Sequence, residues 1–279
     1  MQKLKIAATG LEGLLGTRIH ELLRESYEWI SLPQSQMDIT DAHAVSSVLS
    51  DIDYDLLLHL AAYTHVDKAE TESAIAEAIN VTGTQNLFNE ITKKGKKMIY
   101  ISTDFVFDGT DGPYYEDSKP HPISVYGRTK YQGEEIVKGT GMIVRISYPY
   151  GGHVEHKKDL IATLKDLIER KVPIKGVTDQ SITPTWIDDI AYALDHLMNN
   201  FSPEIFHVTG PQSMSAFELI KLIGEAYDLD TAFVGETSFE EFYTGKARRP
   251  QHAIMKTHMN TFHTMKAPAE ALKLMEHNS

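Results

Sequence analysis

Three glycines, each three residues apart, follow the first apolar segment of the chain, and no other feature constrains the fold as strongly. Gly10, Gly13 and Gly16 separate a β-rich run from a stretch with helical periodicity. Glycine can adopt the positive φ angle of a tight strand-to-helix turn, and the N–H groups that open the helix can bind a phosphate. With 18 glycines in 279 residues, composition alone gives about 0.07 such patterns by chance. The turn therefore predicts a dinucleotide-binding βαβ unit.

The rest of the first half alternates between two kinds of periodicity. Short apolar runs predict strands at residues 4–8, 29–32, 56–60, 98–102 and 142–146. Stretches with apolar residues at helical spacing predict helices at residues 13–26, 41–49, 70–94 and 125–137. This alternation is typical of the α/β class, and we expect a Rossmann-type, doubly wound parallel sheet.

The pattern loosens after about residue 150. Helices are predicted near residues 159–171, 187–198, 216–227 and 268–276, and a strand at 205–208. We interpret this half as a smaller C-terminal α/β lobe that binds the substrate. The predicted division gives residues 1–150 to a dinucleotide-binding domain, to which 183–209 return, and residues 151–182 and 210–279 to the substrate lobe.

Composition excludes several classes of protein. The chain has no cysteine, which removes disulfides, Fe–S clusters, thiolate nucleophiles and cysteine-based zinc sites. It has 27 Lys and Arg against 39 Asp and Glu, a net charge of −12, which argues against nucleic-acid binding. No apolar run is long enough to span a membrane, and Glu12 interrupts the only segment that resembles a signal peptide. We therefore expect a cytoplasmic protein with no nucleic-acid or membrane partner.

The residues that follow the second predicted strand leave the choice of cofactor open. An acidic residue there would hold the adenosine ribose of NAD, and an arginine would accommodate the 2′-phosphate of NADP. The segment 31–35 reads SLPQS and offers neither. The sequence is therefore compatible with NADPH or NADH.

A tyrosine and a lysine lie four residues apart in the helix predicted at 125–137. Tyr126 and Lys130 share one helical face, and Thr103 ends the fourth predicted strand about twenty residues upstream. Because ligands of parallel sheets bind at the carboxyl ends of strands, the three side chains can converge on one carbonyl group. We expect Lys130 to lower the pKa of Tyr126 and to hold the nicotinamide ribose, Tyr126 to act as general acid or base, and Thr103 to donate a hydrogen bond to the substrate oxygen.

At this point the sequence resembles the extended short-chain dehydrogenases/reductases and, within them, the dTDP-4-dehydrorhamnose reductase family. The resemblance runs nearly end to end. Its most specific segments are AAYTHVDKAE at 61–70, STDFVFDG at 102–109, DQSITPT at 179–185, HVTG at 207–210 and RRP at 248–250.

The resemblance implies a set of site residues. Thr103, Tyr126 and Lys130 would be catalytic. The cofactor would be bound by Gly10, Leu11, Glu12, Gly13, Leu14, Leu15, Asp38, Ile39, Ala61, Ala62, Tyr63, Asn80, Tyr126 and Lys130. The substrate would be bound by Thr103, Asp104, Phe105, Tyr148 and Arg249.

The implied reaction is the NAD(P)H-dependent reduction of the 4-keto group of a nucleotide-activated 6-deoxyhexose, as in dTDP-L-rhamnose biosynthesis. A nucleotide sugar would be the substrate, and a homodimer is among the assemblies expected. Two alternatives stay open. One is a non-catalytic, NADP-binding regulatory subunit that resembles the beta subunit of methionine adenosyltransferase, and the other is a nucleotide-sugar epimerase or dehydratase.

The chain departs from the family at several positions. Leu14 replaces a usual glutamine, Tyr148 a frequent tryptophan, and the serine expected after residue 250 is absent. Arg18 stands where some members carry a glutamate that bridges a metal between subunits, so no metal is expected. His153 and His156 lack a third ligand at useful spacing and are predicted to lie in a solvated loop. These departures leave the identity of the sugar open.

Overall fold

The computed structural model describes residues 3–152, 154 and 158–277. Its strands are β1 (Lys5–Thr9), β2 (Glu28–Leu32), β3 (Leu56–His59), β4 (Lys97–Thr103), β5 (Met142–Ile146), β6 (Pro149–Tyr150), β7 (Lys175–Val177), β8 (Thr185–Trp186), β9 (Ile205–His207) and β10 (Gly235–Thr237). Its α-helices are α1 (Leu14–Leu23), α2 (Ala42–Asp51), α3 (Val66–Ala69), α4 (Ser73–Glu77), α5 (Thr84–Lys93), α6 (Val125–Val137), α7 (Leu160–Glu169), α8 (Ile187–Asn199), α9 (Ala216–Ala226), α10 (Phe239–Tyr243) and α11 (Pro268–His277). None of the helices in these ranges has the length and apolar character needed to cross a membrane.

Six parallel strands form the central sheet, in the order β2-β1-β3-β4-β5-β9. Helices α1 and α8 pack on one face, and α2, α5 and α6 on the other. Successive strand residues therefore enter different cores, as Ile6 does on the α1 side and Ala7 on the α2 side. Burial on both faces explains the near-continuous apolar strand segments, and the predicted Rossmann-type α/β fold is confirmed.

One predicted helix, at residues 70–94, differs in the structure. It begins only at Ser73, because a turn separates it from the short α3, and it contains a π-helical segment at Ala78–Gly83 between α4 and α5. The Thr84 hydroxyl donates to the Asn80 carbonyl at 2.8 Å, which satisfies an acceptor within the widened turn. A π-helical turn is a rare, single-turn bulge inside an α-helix, and the apolar spacing of residues 70–94 did not predict it.

The second half forms a separate apolar core beside the sheet. Helices α7, α9 and α11 pack around Tyr150, Trp186 and Leu219, next to the short parallel pair β7–β10. The pair β6–β8 joins this core to the strand ends, and α8 and β9 return to the main sheet. Strands β7 (KGV) and β10 (GET) were not predicted, because neither contains the apolar run that marked the equally short β9. The division of function between the two lobes stays a prediction.

Candidate active site

A cleft of about 670 Å³ opens at the carboxyl ends of β1, β3, β4 and β5. Sites for small ligands commonly have volumes of roughly 300–1,000 Å³. Fifteen of the residues predicted for the site line this cleft: Gly10, Glu12, Gly13, Leu14, Leu15, Asp38, Ile39, Ala61, Ala62, Thr103, Asp104, Phe105, Tyr126, Lys130 and Tyr148. The structure therefore brings both predicted groups, the glycine turn and the Tyr–Lys pair, into one space.

The glycine turn is fixed by close backbone packing. Gly10 has φ +69°, and a Cβ atom there would lie 2.5 Å from the backbone nitrogen of Ala61. A Cβ on Gly16 would lie 2.6 Å from the Gly10 carbonyl oxygen. No larger residue fits either position without moving the turn, so the spacing read from the sequence has a steric cause.

The N-terminus of α1 faces this cleft without a capping side chain. Its N-cap is Gly13, and the first turn contains no acidic residue. Helix N–H groups left open in this way, together with the positive end of the helix dipole, suit an anionic group such as a pyrophosphate. The residues present therefore fit a dinucleotide cofactor.

The wall that follows β2 is largely uncharged. Besides the predicted Asp38 and Ile39, it contains Leu32, Pro33, Gln34 and Met37. Asp38 is the charged member of this set, and its Oδ1 accepts hydrogen bonds from the Thr40 backbone and hydroxyl at 2.9 and 2.8 Å. These bonds lower the pKa of Asp38, so the residue is anionic at neutral pH. Sequence reasoning missed the apolar members because no local motif marks them.

A buried histidine supports the cleft from beneath. His59, at the end of β3, pairs through Nδ1 with the Thr9 hydroxyl at 2.7 Å and through Nε2 with the Thr84 hydroxyl at 3.2 Å. Burial lowers its pKa to about 3, with the charge of Lys130 adding to the effect. His59 is thus a neutral bridge between β1, β3 and α5, and no sequence motif indicates this role.

Tyr126 lies in the first turn of α6, which is capped by Ser124. Its ring packs edge-on against Phe105, with 5.4 Å between ring centroids. Burial raises the pKa of Tyr126 to about 12, while a hydrogen bond with Thr103 lowers it and the charge of Asp104 raises it. This direction is opposite to the one expected from the sequence, because burial dominates and Lys130 is not the controlling charge. The phenol is therefore protonated at neutral pH.

Lys130 lies one turn further along α6 and is also buried. Its Nζ donates to the Ile101 carbonyl at 2.8 Å and lies 4.0 Å from the centroid of the Tyr100 ring. Burial lowers the pKa of Lys130 to about 7, and the carboxylate of Glu134 acts in the opposite direction. Two of the three ammonium protons remain for other acceptors.

Asp104 connects the ends of β4 and β5. Its Oδ1 accepts from the Thr103 hydroxyl at 3.0 Å, and its Oδ2 accepts from the Ser147 hydroxyl at 2.8 Å. Burial raises the pKa of Asp104 to about 6, and the bonds from Ser147 and Thr103 oppose that rise. The Thr103 hydroxyl was expected to donate to a substrate oxygen, but here its proton points to Asp104. Ser147 was not predicted at all.

Tyr148 follows directly and has a left-handed backbone conformation, with φ +40°. Positive φ is uncommon for an aromatic residue and costs roughly 1–3 kcal/mol, so it persists only where surrounding packing enforces it. Its carbonyl accepts from the Thr185 N–H at 3.2 Å, which ties the strained residue to β8. This is the position at which the family often has tryptophan.

Four predicted site residues do not line the cleft. Leu11 is buried in the sheet core. The Tyr63 N–H donates to the Asn80 side chain at 2.8 Å, and the Asn80 amide donates to the Tyr63 carbonyl and to the Thr129 hydroxyl. Asn80 therefore holds the loop after β3 against α6 instead of facing the cleft. A side chain in the middle of a helix gave no indication of which element it would contact.

Arg249 is the fourth of these residues. Its Nη2 pairs with Asp67 of α3 at 2.8 Å, its Nη1 donates to the Ala247 carbonyl at 2.8 Å, and its guanidinium lies over the Tyr243 ring. The same aspartate accepts from the Ala247 N–H at 3.0 Å. Asp67 thus joins the C-terminal segment to the loop that borders the cleft.

A buried ion pair lies behind α6. Arg145 donates from Nε and Nη2 to both oxygens of Glu134, at 2.9 and 2.7 Å, and its Nη1 lies 3.3 Å from Nε2 of His207. Because arginine is always a donor, Nε2 must accept, and Nδ1 of His207 donates to the Lys256 carbonyl at 2.8 Å. Burial, reinforced by Arg145, lowers the pKa of His207 to about 4. The histidine is therefore neutral.

Two sequence features were considered in relation to metal binding, the histidine pair at 153 and 156 and the arginine at position 18. His153 and His156 lie outside the described residues. Arg18 makes a two-pronged ion pair with Asp188, with both N···O distances 2.7 Å. Among residues 3–152, 154 and 158–277, no group of three or more His, Asp or Glu side chains is arranged to hold a metal.

Comparison with known proteins agrees with this geometry. The model of the RmlD substrate binding domain family matches residues 4–275. The chain belongs to the dTDP-4-dehydrorhamnose reductase family. It is 33% identical to the spore coat polysaccharide biosynthesis protein SpsK of Bacillus subtilis over 90% of this chain and 88% of that one. It is 32% identical to the dTDP-4-dehydrorhamnose reductase of Mycobacterium tuberculosis over 85% of this chain and 80% of that one.

A solved structure gives the same result at the level of the fold. The dTDP-4-dehydrorhamnose reductase of Bacillus anthracis, in complex with NADP, superposes with a TM-score of 0.92 at 33% identity, covering 100% of both chains. The extended short-chain dehydrogenase/reductase architecture predicted from the motifs is thereby confirmed. Family membership also identifies the chain as an NAD(P)-dependent oxidoreductase.

Proposed function

We propose that this protein reduces the 4-keto group of a nucleotide-activated 6-deoxyhexose with NADPH or NADH, as in the formation of dTDP-L-rhamnose. The observation that carries the proposal is that one cleft is lined by the glycine turn at one end and by Thr103, Tyr126 and Lys130 at the other. The named activity of the family members similar to this chain supports the same reaction.

Each side chain has a role that follows from its surroundings. When bound, the reduced nicotinamide supplies the hydride for C4. Tyr126, protonated at neutral pH, donates its phenolic proton to the oxygen that becomes the C4 hydroxyl. Lys130, already anchored to the Ile101 carbonyl, has protons left to hold the ribose hydroxyls of the cofactor. Asp104, Phe105, Tyr148 and Arg249 are the proposed contacts of the sugar nucleotide.

The direct test is oxidation of NADPH and of NADH, followed by loss of nicotinamide absorbance, against a panel of 4-keto-sugar nucleotides. We expect turnover with a 4-keto-6-deoxyhexose nucleotide and formation of the corresponding hydroxyl sugar. Binding of NADPH without oxidation by any member of the panel would contradict the proposal and favour the regulatory alternative. Oxidised cofactor retained through purification would favour the epimerase or dehydratase alternative.

Replacing the proton donor separates chemistry from binding. We expect Tyr126→Phe to lower turnover at least about a hundredfold, the scale of general acid catalysis, because the ring packing stays and only the hydroxyl is lost. The Kd for NADPH, measured by fluorescence, should change little. Tyr131→Phe, five residues further along the same helix and outside the cleft lining, is the matched control and should retain activity. Unchanged turnover in Tyr126→Phe would refute the assigned role.

A further inference from the structure

A buried serine makes a contact at the candidate site that the sequence did not predict. Ser147, directly after β5, is fully buried, and its hydroxyl donates to Oδ2 of Asp104 at 2.8 Å. The other carboxylate oxygen accepts from Thr103 at 3.0 Å. One carboxylate therefore joins the ends of two neighbouring strands, and the two hydroxyl groups hold it from opposite sides.

We propose that Ser147 is a positioning residue for the reduction, because it fixes the Asp104 carboxylate and, through it, the Thr103 hydroxyl beside Tyr126. The proposal rests on the proposed function. Ser147 is absent from the cleft lining, so it acts through Asp104 and not on the substrate.

The surroundings of Asp104 explain why a hydroxyl is needed here. The carboxylate is faced by Thr103 from the end of β4, by Ser147 and Tyr148 from the end of β5, and by Tyr126 from α6. Lys130, the cation in the same cleft, donates to the Ile101 carbonyl. Ionisation of Asp104 in this buried position therefore depends on the Ser147 and Thr103 hydroxyls, together with the backbone N–H groups of Asp104 and Phe105.

The loss of one donor has a defined chemical consequence. Burial raises the pKa of Asp104 to about 6, and the Ser147 hydrogen bond is the foremost of the contacts that oppose this rise. Without it, Asp104 would remain protonated to higher pH. A protonated carboxyl has less acceptor capacity for a sugar hydroxyl and turns Thr103 toward a different partner.

The test compares Ser147→Ala with Ser147→Cys, a nearly isosteric change to a weaker donor. In Ser147→Ala we expect kcat/KM for the nucleotide sugar to fall about tenfold or more at neutral pH, the scale of one hydrogen bond to a charged group. The acid limb of the pH profile should move to higher pH, and Ser147→Cys should lie between Ala and wild type. The Kd for NADPH should stay within about twofold.

The matched control is Thr209→Val, which removes a buried hydroxyl that has no hydrogen-bond partner among the described residues. Its pH profile should superpose on that of the wild type. An unshifted acid limb in Ser147→Ala, or an equal loss of cofactor affinity, would overturn the proposal. The Asp104 carboxyl can also be titrated by carbon NMR, a readout independent of turnover, so this inference and the proposed reaction can fail separately.

Discussion

The two sides of the cleft are built from different kinds of atoms. The glycine side (residues 10–16, 32–39 and 60–62) presents mainly backbone and apolar groups, whereas the tyrosine side (residues 101–105, 126–130 and 146–149) presents buried hydroxyl, carboxyl and ammonium groups. The shape of the glycine side is determined by positions that have no room for a Cβ atom. The shape of the tyrosine side is determined by its hydrogen-bond donors and acceptors. The glycines that meet the steric rule follow one another at a spacing of three residues, while the Ser147–Asp104 and Lys130–Ile101 contacts join residues far apart in sequence.

The largest expected effect comes from breaking the steric rule. Gly10→Ala forces a side chain into a positive-φ residue with backbone 2.5 Å from the new Cβ. We expect the free energy of unfolding to fall by about 3 kcal/mol, from left-handed strain together with overpacking, and NADPH binding to be lost. Thermal unfolding and cofactor fluorescence measure the two results.

The control for this change is Gly95→Ala. Gly95 also has positive φ, at +61°, but a Cβ there meets nothing within 4 Å. The free energy of unfolding of Gly95→Ala should fall by only about 1 kcal/mol, from the left-handed strain of the alanine, and the variant should bind NADPH normally. Equal losses in the two variants would show that the close approach of Gly10 to Ala61 is unimportant.

The same contrast explains how far the sequence could be interpreted. The glycine spacing, the strand–helix alternation and the Tyr126–Lys130 pair are local features, and each correctly predicted an element or a wall of the cleft. The contacts that Ser147, Asn80 and Arg249 make in the structure could not be predicted, because each depends on a partner from another element. The pKa of Tyr126 was expected in the wrong direction for a related reason. Sequence spacing shows which charge is near, but not how deeply the phenol is buried.

Two buried histidines of the central sheet, His59 in β3 and His207 in β9, give an intermediate effect. The pKa of His59 is lowered to about 3 and that of His207 to about 4, both chiefly by burial. Below pH 6.5 the unfolded chain therefore binds protons that the folded chain does not, so stability is full above that pH and declines as the pH falls. Each histidine should lower the free energy of unfolding by about 1 kcal/mol as the pH falls from 7 to 5.5. Asp104, with its pKa raised to about 6, acts in the opposite direction over the same window.

Single variants resolve the two contributions. His59→Gln and His207→Gln should each reduce the slope of unfolding free energy against pH in this window, measured by denaturant titration. The absolute stability of either variant does not affect the slope. A wild-type slope in His207→Gln would mean that burial, with Arg145 beside it, does not keep this imidazole neutral.

The smallest expected effect tests the contact that joins the two halves of the chain. Asp67→Asn removes the charge that pairs with Arg249 while keeping the side-chain shape. Because Asp67 is half exposed, the pair contributes at most about 1 kcal/mol, so we expect KM for the nucleotide sugar to rise about two- to fivefold. KM for NADPH should not change, since Arg249 is a proposed contact of the nucleotide sugar and not of the cofactor. Asp53→Asn removes the exposed Lys5–Asp53 pair and should change neither constant. An equal rise in KM for the nucleotide sugar and for NADPH in Asp67→Asn would mean that Asp67 supports the whole cleft. The difference between the glycine side and the tyrosine side would then not apply to substrate binding.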